Sequence, residues 1–416
     1  MTRLPDDFVL GVSSSGHQIE GENDHSDWWA FEQRGLVAGG DRSGRAADWW
    51  NRYRDDVALM QQLGVRAHRF GVEWSRVEPA AGHFDDAALD RYADMVTVHR
   101  AAGIVPYIAL SHFTIPQWIA ERGGWLAPDF VERLIGYTER TVRRIGRDVA
   151  CYFTLNEPLT LASMAYYFGL WPPQHRSLSE YCRVQRRTLE AHLGMARVIR
   201  SVAPGVPVGL IKAWSRFLPY RRWFAGDQAY AALTDWLFNG AYLSALCSER
   251  LPPPLGHWER LPGLRDSIDL YGLNYYLAFY GDSLHPSFPH PSTTGDRLNQ
   301  LGWGEHPQGL LIALRRARRL GKPILITENG LATDDDAYRG EFIRRHVEVA
   351  LQARGDGVDV RGYLYWSFLD NFEWAEGWRA NFGLCGFDHT TLARQPRPSA
   401  YWFGRSSAAR ELLRYG

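Results

Sequence analysis

Cysteine is scarce in this chain, which has four: Cys151, Cys182, Cys247 and Cys385. They lie far apart, with no CxxC pair and no histidine at ligand spacing. That argues against a disulfide framework and a zinc site and points to a reduced compartment. An excess of either charge is missing as well. The 47 basic and 47 acidic side chains cancel, so neither nucleic acid nor an anionic membrane is an expected partner. No apolar run is long enough to span a bilayer, and the opening MTRLPDDFVLGVSSS lacks a signal-peptide core. The expectation is a cytoplasmic protein. A phosphate-cradling loop is absent too, since Gly11 and Gly16 do not have GxGxxG spacing. With no internal repeat, low-complexity tract or linker, residues 1–416 read as a single domain.

Aromatic residues are plentiful, with 17 Trp and 20 Tyr. Several sit beside polar residues, a pairing that suits the apolar faces and hydroxyl edges of sugars. Apolar, β-branched runs recur along the chain at Phe8–Ser13, Val65–Phe70, Ile104–Leu110, Val149–Leu155, Val206–Ile211, Ile268–Leu273, Pro323–Thr327 and Arg361–Trp366. Amphipathic helical patterns separate most of them, at Tyr53–Leu63, Asp86–Ala102, Phe130–Ile145, Tyr181–Val202, Gly309–Leu320 and Phe342–Ala353, and Ser399–Leu413 closes the chain. Eight strands alternating with helices predict an α/β fold, a (β/α)₈ TIM barrel with loop insertions at its C-terminal face.

The strand ends carry the chemistry. KPILITENG is a buried-strand pattern that stops on Glu328, and CYFTLNEP stops on Asn156-Glu157. Two carboxylates, each at its own strand end, are the raw material of acid and nucleophile catalysis. The other ends add Gln18, Glu20, Arg69, Glu73, Ser111, His112, Asn274, Tyr275, Tyr276, Trp366, Asp370, Asn371, Glu373 and Trp374, and a barrel brings all of them to one mouth. Taken singly, each has an ordinary explanation: Glu328 a solvated turn residue, Glu157 a helix-start charge, His112 and His17 core histidines. Trp28 and Trp49 read as packing, Asp55-Asp56 as helix surface, and Asp334–Asp336 as a solvated loop. The ordinary explanations fail together, because they must account for every polar strand end in order.

SSSGHQIEG, RFGVEWSRVEP, SHFTIPQW, TLNEP, GLNYY, ITENG and WSFLDNFEWAEGWRANFG stand in the order and spacing of glycoside hydrolase family 1. The chain resembles these retaining β-glucosidases and β-galactosidases over nearly its whole length. The resemblance implies Glu157 as acid/base and Glu328 as nucleophile. It places Gln18, His112 and Trp374 on the 3- and 4-hydroxyls of the sugar, Asn156 on the 2-hydroxyl, and Glu373 on the 4- and 6-hydroxyls. Trp366 becomes the floor under the ring, Phe382 lines the 6-hydroxyl side, and Trp303 is a platform for the leaving group. Arg69, Asn274 and Tyr276 form the shell around the nucleophile. A cis peptide at Trp366-Ser367 is also implied.

The activity that the resemblance implies is that of an exo-β-glycosidase, a β-glucosidase with β-galactosidase or β-fucosidase side activity. It would act on small β-glycosides or short oligosaccharides, with no cofactor and no metal, as a monomer or small homo-oligomer. A transglycosylase and a catalytically silent sugar binder are the rivals. Phe113 and Leu159 stand where the family often has Trp, so both are expected to reshape the leaving-group side.

Overall fold

The structure, a computed structural model, describes residues 2–285, 289–293 and 295–415. Eight parallel strands close into a barrel in chain order. They are β1 (Val9–Ser13), β2 (Ala67–Gly71), β3 (Val105–Ala109), β4 (Cys151–Asn156), β5 (Val208–Pro219), β6 (Leu270–Gly281), β7 (Ile324–Asn329) and β8 (Val360–Trp366). Closure comes from β1 lying against β8, from Val9↔Gly362 to Ser13↔Trp366. The long helices pack outside: α1 (Trp49–Leu63), α2 (Asp86–Ala101), α3 (Phe130–Ile145), α4 (Leu178–Val202), α5 (Ala225–Asp235), α6 (Ala241–Ser248), α7 (Pro307–Ala317), α8 (Asp336–Gly355) and α9 (Pro398–Ala409).

The period-2 alternation of the strands sorts their side chains. One set fills the barrel with Ala67, Tyr107, Cys151, Phe153, Ile211, Leu325 and Leu364, a packed interior in place of a pore. The other set joins the apolar faces of the helices in a single larger core. Trp28 and Trp49 are buried there, as expected.

Four ladders slip register, and three of the slips fall at strand ends that carry chemistry: between Phe153 and Asn156, between Leu273 and Asn274, and between Ile326 and Asn329. An irregularity of this kind bends the strand and re-aims a side chain. Gly330 ends β7 where a Cβ would collide with the Trp366 carbonyl, so only glycine lets the two strand ends approach. The Trp366-Ser367 peptide is cis.

Three local readings need correction. Helices α5 and α6 fill the stretch between β5 and β6, where the residue pattern shows none: α5 carries Gly226 at its start, and α6, short and apolar on most sides, blurs the 3.6 period. Asp55 is exposed, but Asp56 is buried and takes a bidentate ion pair from Arg394 at 2.7 and 2.6 Å. Asp336 is not merely solvated: it accepts from the Ser399 amide and hydroxyl at 2.7 and 2.6 Å and so pins the start of α9. For both aspartates the partner lies too far along the chain for local pattern to reveal it. Among the described residues no helix is long and apolar enough to cross a membrane.

Candidate active site

The C-terminal mouth of the barrel opens into a cavity of about 830 Å³. His112, Glu157, Asn274, Tyr276, Trp303, Glu328, Trp366, Glu373, Trp374 and Phe382 line it. Gln18, Arg69 and Asn156 are buried and are not among the lining residues. Phe113 lines the cavity as expected, whereas Leu159 is fully buried in the core and does not. The expected effect of Leu159 on the leaving-group side therefore has no direct contact behind it.

Glu328, in β7, is held from two sides. Arg69 from β2 reaches Oε1 at 2.5 Å, and the Tyr276 hydroxyl from β6 donates to Oε2 at 2.7 Å. Glu157 follows β4 with a left-handed backbone, φ 45°, just before the short helix Pro158–Ala162. A non-glycine residue holds that conformation only when its surroundings fix it. Its backbone N–H is tied to Ile211 at 3.0 Å, and Oε1 accepts from the Asn274 amide at 2.6 Å.

Two amides have orientations dictated by their neighbours. Asn156 Oδ1 accepts from Arg69 at 3.0 Å and from Asn274 at 3.2 Å, so its Nδ2 faces His112 Nε2 at 3.1 Å. A donor facing Nε2 puts the imidazole proton on Nδ1. That Nδ1 has no protein partner, and His112 lines the cavity, so the ring offers a donor to whatever lies there. Burial, with the Arg69 charge added, holds the His112 pKa well below the usual range, so the ring is neutral. Asn274 in turn accepts from the Thr327 hydroxyl at 2.6 Å, which leaves its Nδ2 for Glu157. Asn274 stands beside Glu328 in the strand register, as expected, and also donates to Glu157 at 2.6 Å.

The opposite wall rests on aromatic stacking. Trp374 lies between two near-parallel imidazoles, His112 at 5.9 Å and His17 at 5.7 Å. His17 is a satisfied core histidine, bonded to Glu32 at 2.8 Å and Asn23 at 3.2 Å. The Gln18 amide donates to Asn371 at 2.7 Å, to the Phe372 carbonyl at 3.0 Å and to Glu373 at 3.2 Å. The Ser15 hydroxyl holds the other end of that amide at 2.6 Å. Trp303 and Phe382 gather with Tyr276 in a separate aromatic corner.

The carboxyls differ in charge state. Burial, then the Glu328 charge, pushes Glu157 up to about 7, and no cation touches it. Burial and Glu328 push Glu373 up to about 8. Burial raises Glu328 as well, but the Arg69 charge and the Tyr276 and Arg69 hydrogen bonds oppose it. Arg69 and Tyr276 thus favour the charged form of Glu328, whereas no cation lies on Glu157. No group of three or more His, Cys, Asp or Glu among the described residues is arranged to hold a metal ion.

Sequence reasoning passed over Thr327, Ser15 and Glu32, and it placed Asn371 at the mouth without a role. Each touches a predicted residue and none faces the cavity. The one signal available was proximity in sequence, Thr327 before Glu328 and Asn371 in DNFEW.

The family model "Glycosyl hydrolase family 1" matches residues 1–411. The chain is 35% identical to "Thermostable beta-glucosidase B" of Thermobispora bispora, over 99% of this chain and 92% of that one. It is 28% identical to "Beta-glucosidase A" of Thermotoga maritima, over 96% and 97%. Among solved structures, a β-glycosidase from Pyrococcus horikoshii superposes with a TM-score of 0.90 at 35% identity, covering 100% and 97%. The T. maritima β-glucosidase in complex with glucoimidazole superposes at 0.92 with 27% identity, covering 99% and 100%.

Proposed function

The chain belongs to glycosyl hydrolase family 1 and is an O-glycosyl hydrolase, and from that premise we propose a retaining exo-β-glucosidase working through Glu328 and Glu157. The observation that carries the reading is the asymmetry of two carboxyls on one cavity. Glu328 is paired with the Arg69 cation and the Tyr276 hydroxyl, while Glu157 has neutral partners, Asn274 and Thr160, and a pKa of about 7.

In the first step Glu328 attacks the anomeric carbon and the bond from that carbon to the leaving oxygen breaks. Glu157 gives its proton to that oxygen, which departs as an alcohol. The negative charge of Glu328 is now spent in the ester, so the Glu157 pKa falls and it can take a proton from water. The resulting hydroxide displaces Glu328 from the anomeric carbon, configuration is retained, and both carboxyls return to their first state. His112 and Trp374 hold the 3- and 4-hydroxyls, Glu373 the 4- and 6-hydroxyls, Trp366 the floor, Phe382 the 6-hydroxyl side and Trp303 the leaving group. Gln18 and Asn156, expected on the 3-/4- and 2-hydroxyls, do not line the cavity and act from behind through Glu373 and His112. Turnover of β-galactosides and β-fucosides belongs to the same proposal, and so does the reading of residues 1–416 as one domain.

The test separates the two carboxyls. Glu157→Ala should lose turnover of substrates with poor leaving groups and regain turnover of activated aryl glucosides when azide is supplied. Glu328→Gly should lose both. Wild-type rates in either variant would end the proposal.

A further inference from the structure

Arg339 lies in the first turn of α8, fully buried, and does not line the cavity. Its guanidinium joins two loop segments. Nη1 is 2.9 Å from the Leu331 carbonyl, 3.0 Å from that of Phe382 and 3.1 Å from that of Asn381, and Nη2 donates to the Thr333 carbonyl. Nε pairs with Asp336 at 3.2 Å. Leu331 and Thr333 lie just past the end of β7, the strand that carries Glu328, and Phe382 is a wall of the cavity. A fourth oxygen near Nη1, the Tyr365 hydroxyl at 3.2 Å, itself donates to the Phe382 carbonyl at 2.9 Å. That carbonyl is thus held from α8 and from β8 at once.

Buried carbonyls need donors wherever they occur. These, however, belong to the segments that shape the cavity. Ala332, between two of them, packs in one small cluster with Trp366, Ala380 and Phe382, and Tyr276 and Trp303 rest against it. The Tyr276 ring is 6.1 Å from Phe382 while its hydroxyl holds Glu328. On the solvent side Gln300 accepts from the Asn381 N–H at 2.8 Å, and Asp334 accepts from Gln300 at 3.0 Å and from the Asn381 amide at 2.6 Å. From the inside, one guanidinium bridges the end of the Glu328 strand to the Phe382 wall. Its planar fork of five N–H groups spans carbonyls that the point charge of a lysine does not reach together.

We propose that Arg339 is a positioning residue: by fixing Phe382 against the end of the Glu328 strand, it sets the discrimination between sugars with and without a hydroxymethyl group on C5. The inference rests on the placing of Phe382 at the 6-hydroxyl side of the sugar. Arg339 touches no substrate. With its fork cut, the wall relaxes and the C6 methylene loses its contact, so a glucoside loses more than a xyloside, which has no C6.

The test is the ratio of kcat/KM for an aryl β-D-glucoside over that for the matching β-D-xyloside. A role in stability alone lowers both activities together and leaves the ratio where it was. In Arg339→Met the ratio should fall by about fourfold, the worth of one buried methylene. Arg339→Lys keeps the charge and loses the fork, so it should not restore the ratio. Tyr365→Phe removes only the hydroxyl between Arg339 and the Phe382 carbonyl and leaves no charge unpaired. Its ratio should fall by about twofold, the worth of a weak hydrogen bond. Asp56→Ala is the control: it cuts an ion pair whose partners do not line the cavity, and the ratio should hold. Circular dichroism checks folding; where the Arg339 variants fold they decide, and otherwise Tyr365→Phe does. An unchanged ratio in the deciding variants, or an equal fall in Asp56→Ala, would overturn the proposal. A wild type that does not prefer the glucoside would instead remove Phe382 from the 6-hydroxyl side, and the role of Arg339 with it.

Discussion

Removing one oxygen from Tyr276 should move one limb of the pH profile and leave the other in place. The hydroxyl donates to Glu328 at 2.7 Å from a tyrosine whose own pKa burial holds well above the usual range, so it is always protonated. A hydrogen bond to a charged group is worth about 1.5–3 kcal/mol. One pKa unit corresponds to about 1.4 kcal/mol, so losing the bond should raise Glu328 by about 1–2 units. The sign follows from which form the bond favours: it stabilises the carboxylate, and without it Glu328 ionises at higher pH. The free enzyme needs Glu328 charged and Glu157 protonated. In Tyr276→Phe the acid limb of kcat/KM should therefore climb by about 1–2 units. The alkaline limb, set by Glu157 at about 7, should hold its place. The ring remains to pack at 5.9 Å from Trp303 and 6.1 Å from Phe382, so the wall is kept. The assay is kcat/KM for an aryl β-glucoside across the acid and neutral range. An unmoved acid limb, or a shift of the alkaline limb alone, would refute the assignment of charge states.

Thr327→Val removes the hydroxyl that orients Asn274. A buried acceptor then loses its partner, about 1–3 kcal/mol, and kcat for poor leaving groups should fall about tenfold or more, with KM little changed. A variant with wild-type kcat would show the amide held by other means. Asp56→Ala takes the charged partner from the half-buried Arg394 guanidinium and leaves it the Leu392 and Ala47 carbonyls. Neither Asp56 nor Arg394 lines the cavity. Breaking such a pair costs about 3–5 kcal/mol, so thermal unfolding should show a clear fall in Tm while KM stays put. An unchanged Tm would mean that water or a new partner takes up the arginine.

The barrel was legible because its signals are local. Most strands are short apolar runs with a turn signal, although β5 and β6 run on past the expected Ile211 and Leu273 to Pro219 and Gly281. Helix α3 begins and ends where its pattern does, at Phe130 and Ile145. The two carboxyls on the cavity were legible because a buried strand ending in Glu328 or Glu157 conflicts with its own pattern. What stayed hidden depends on contacts across the chain. The Thr327 hydroxyl acts on Asn274, 53 residues earlier, and Ser15 and Asn371 converge on one amide from opposite ends of the sequence. Asp56 looks like a helix surface until Arg394, 338 residues on, is folded against it.

The retaining mechanism stands or falls on the covalent bond to Glu328. Incubation with a 2-deoxy-2-fluoro-β-glucoside bearing a good leaving group slows both steps, the second more when the leaving group is activated. The intact mass should rise by one fluoroglucosyl unit, and peptide mapping should place it on the peptide containing Glu328. An enzyme that stays unlabelled while it turns over ordinary β-glucosides, or a label on any other residue, would contradict it.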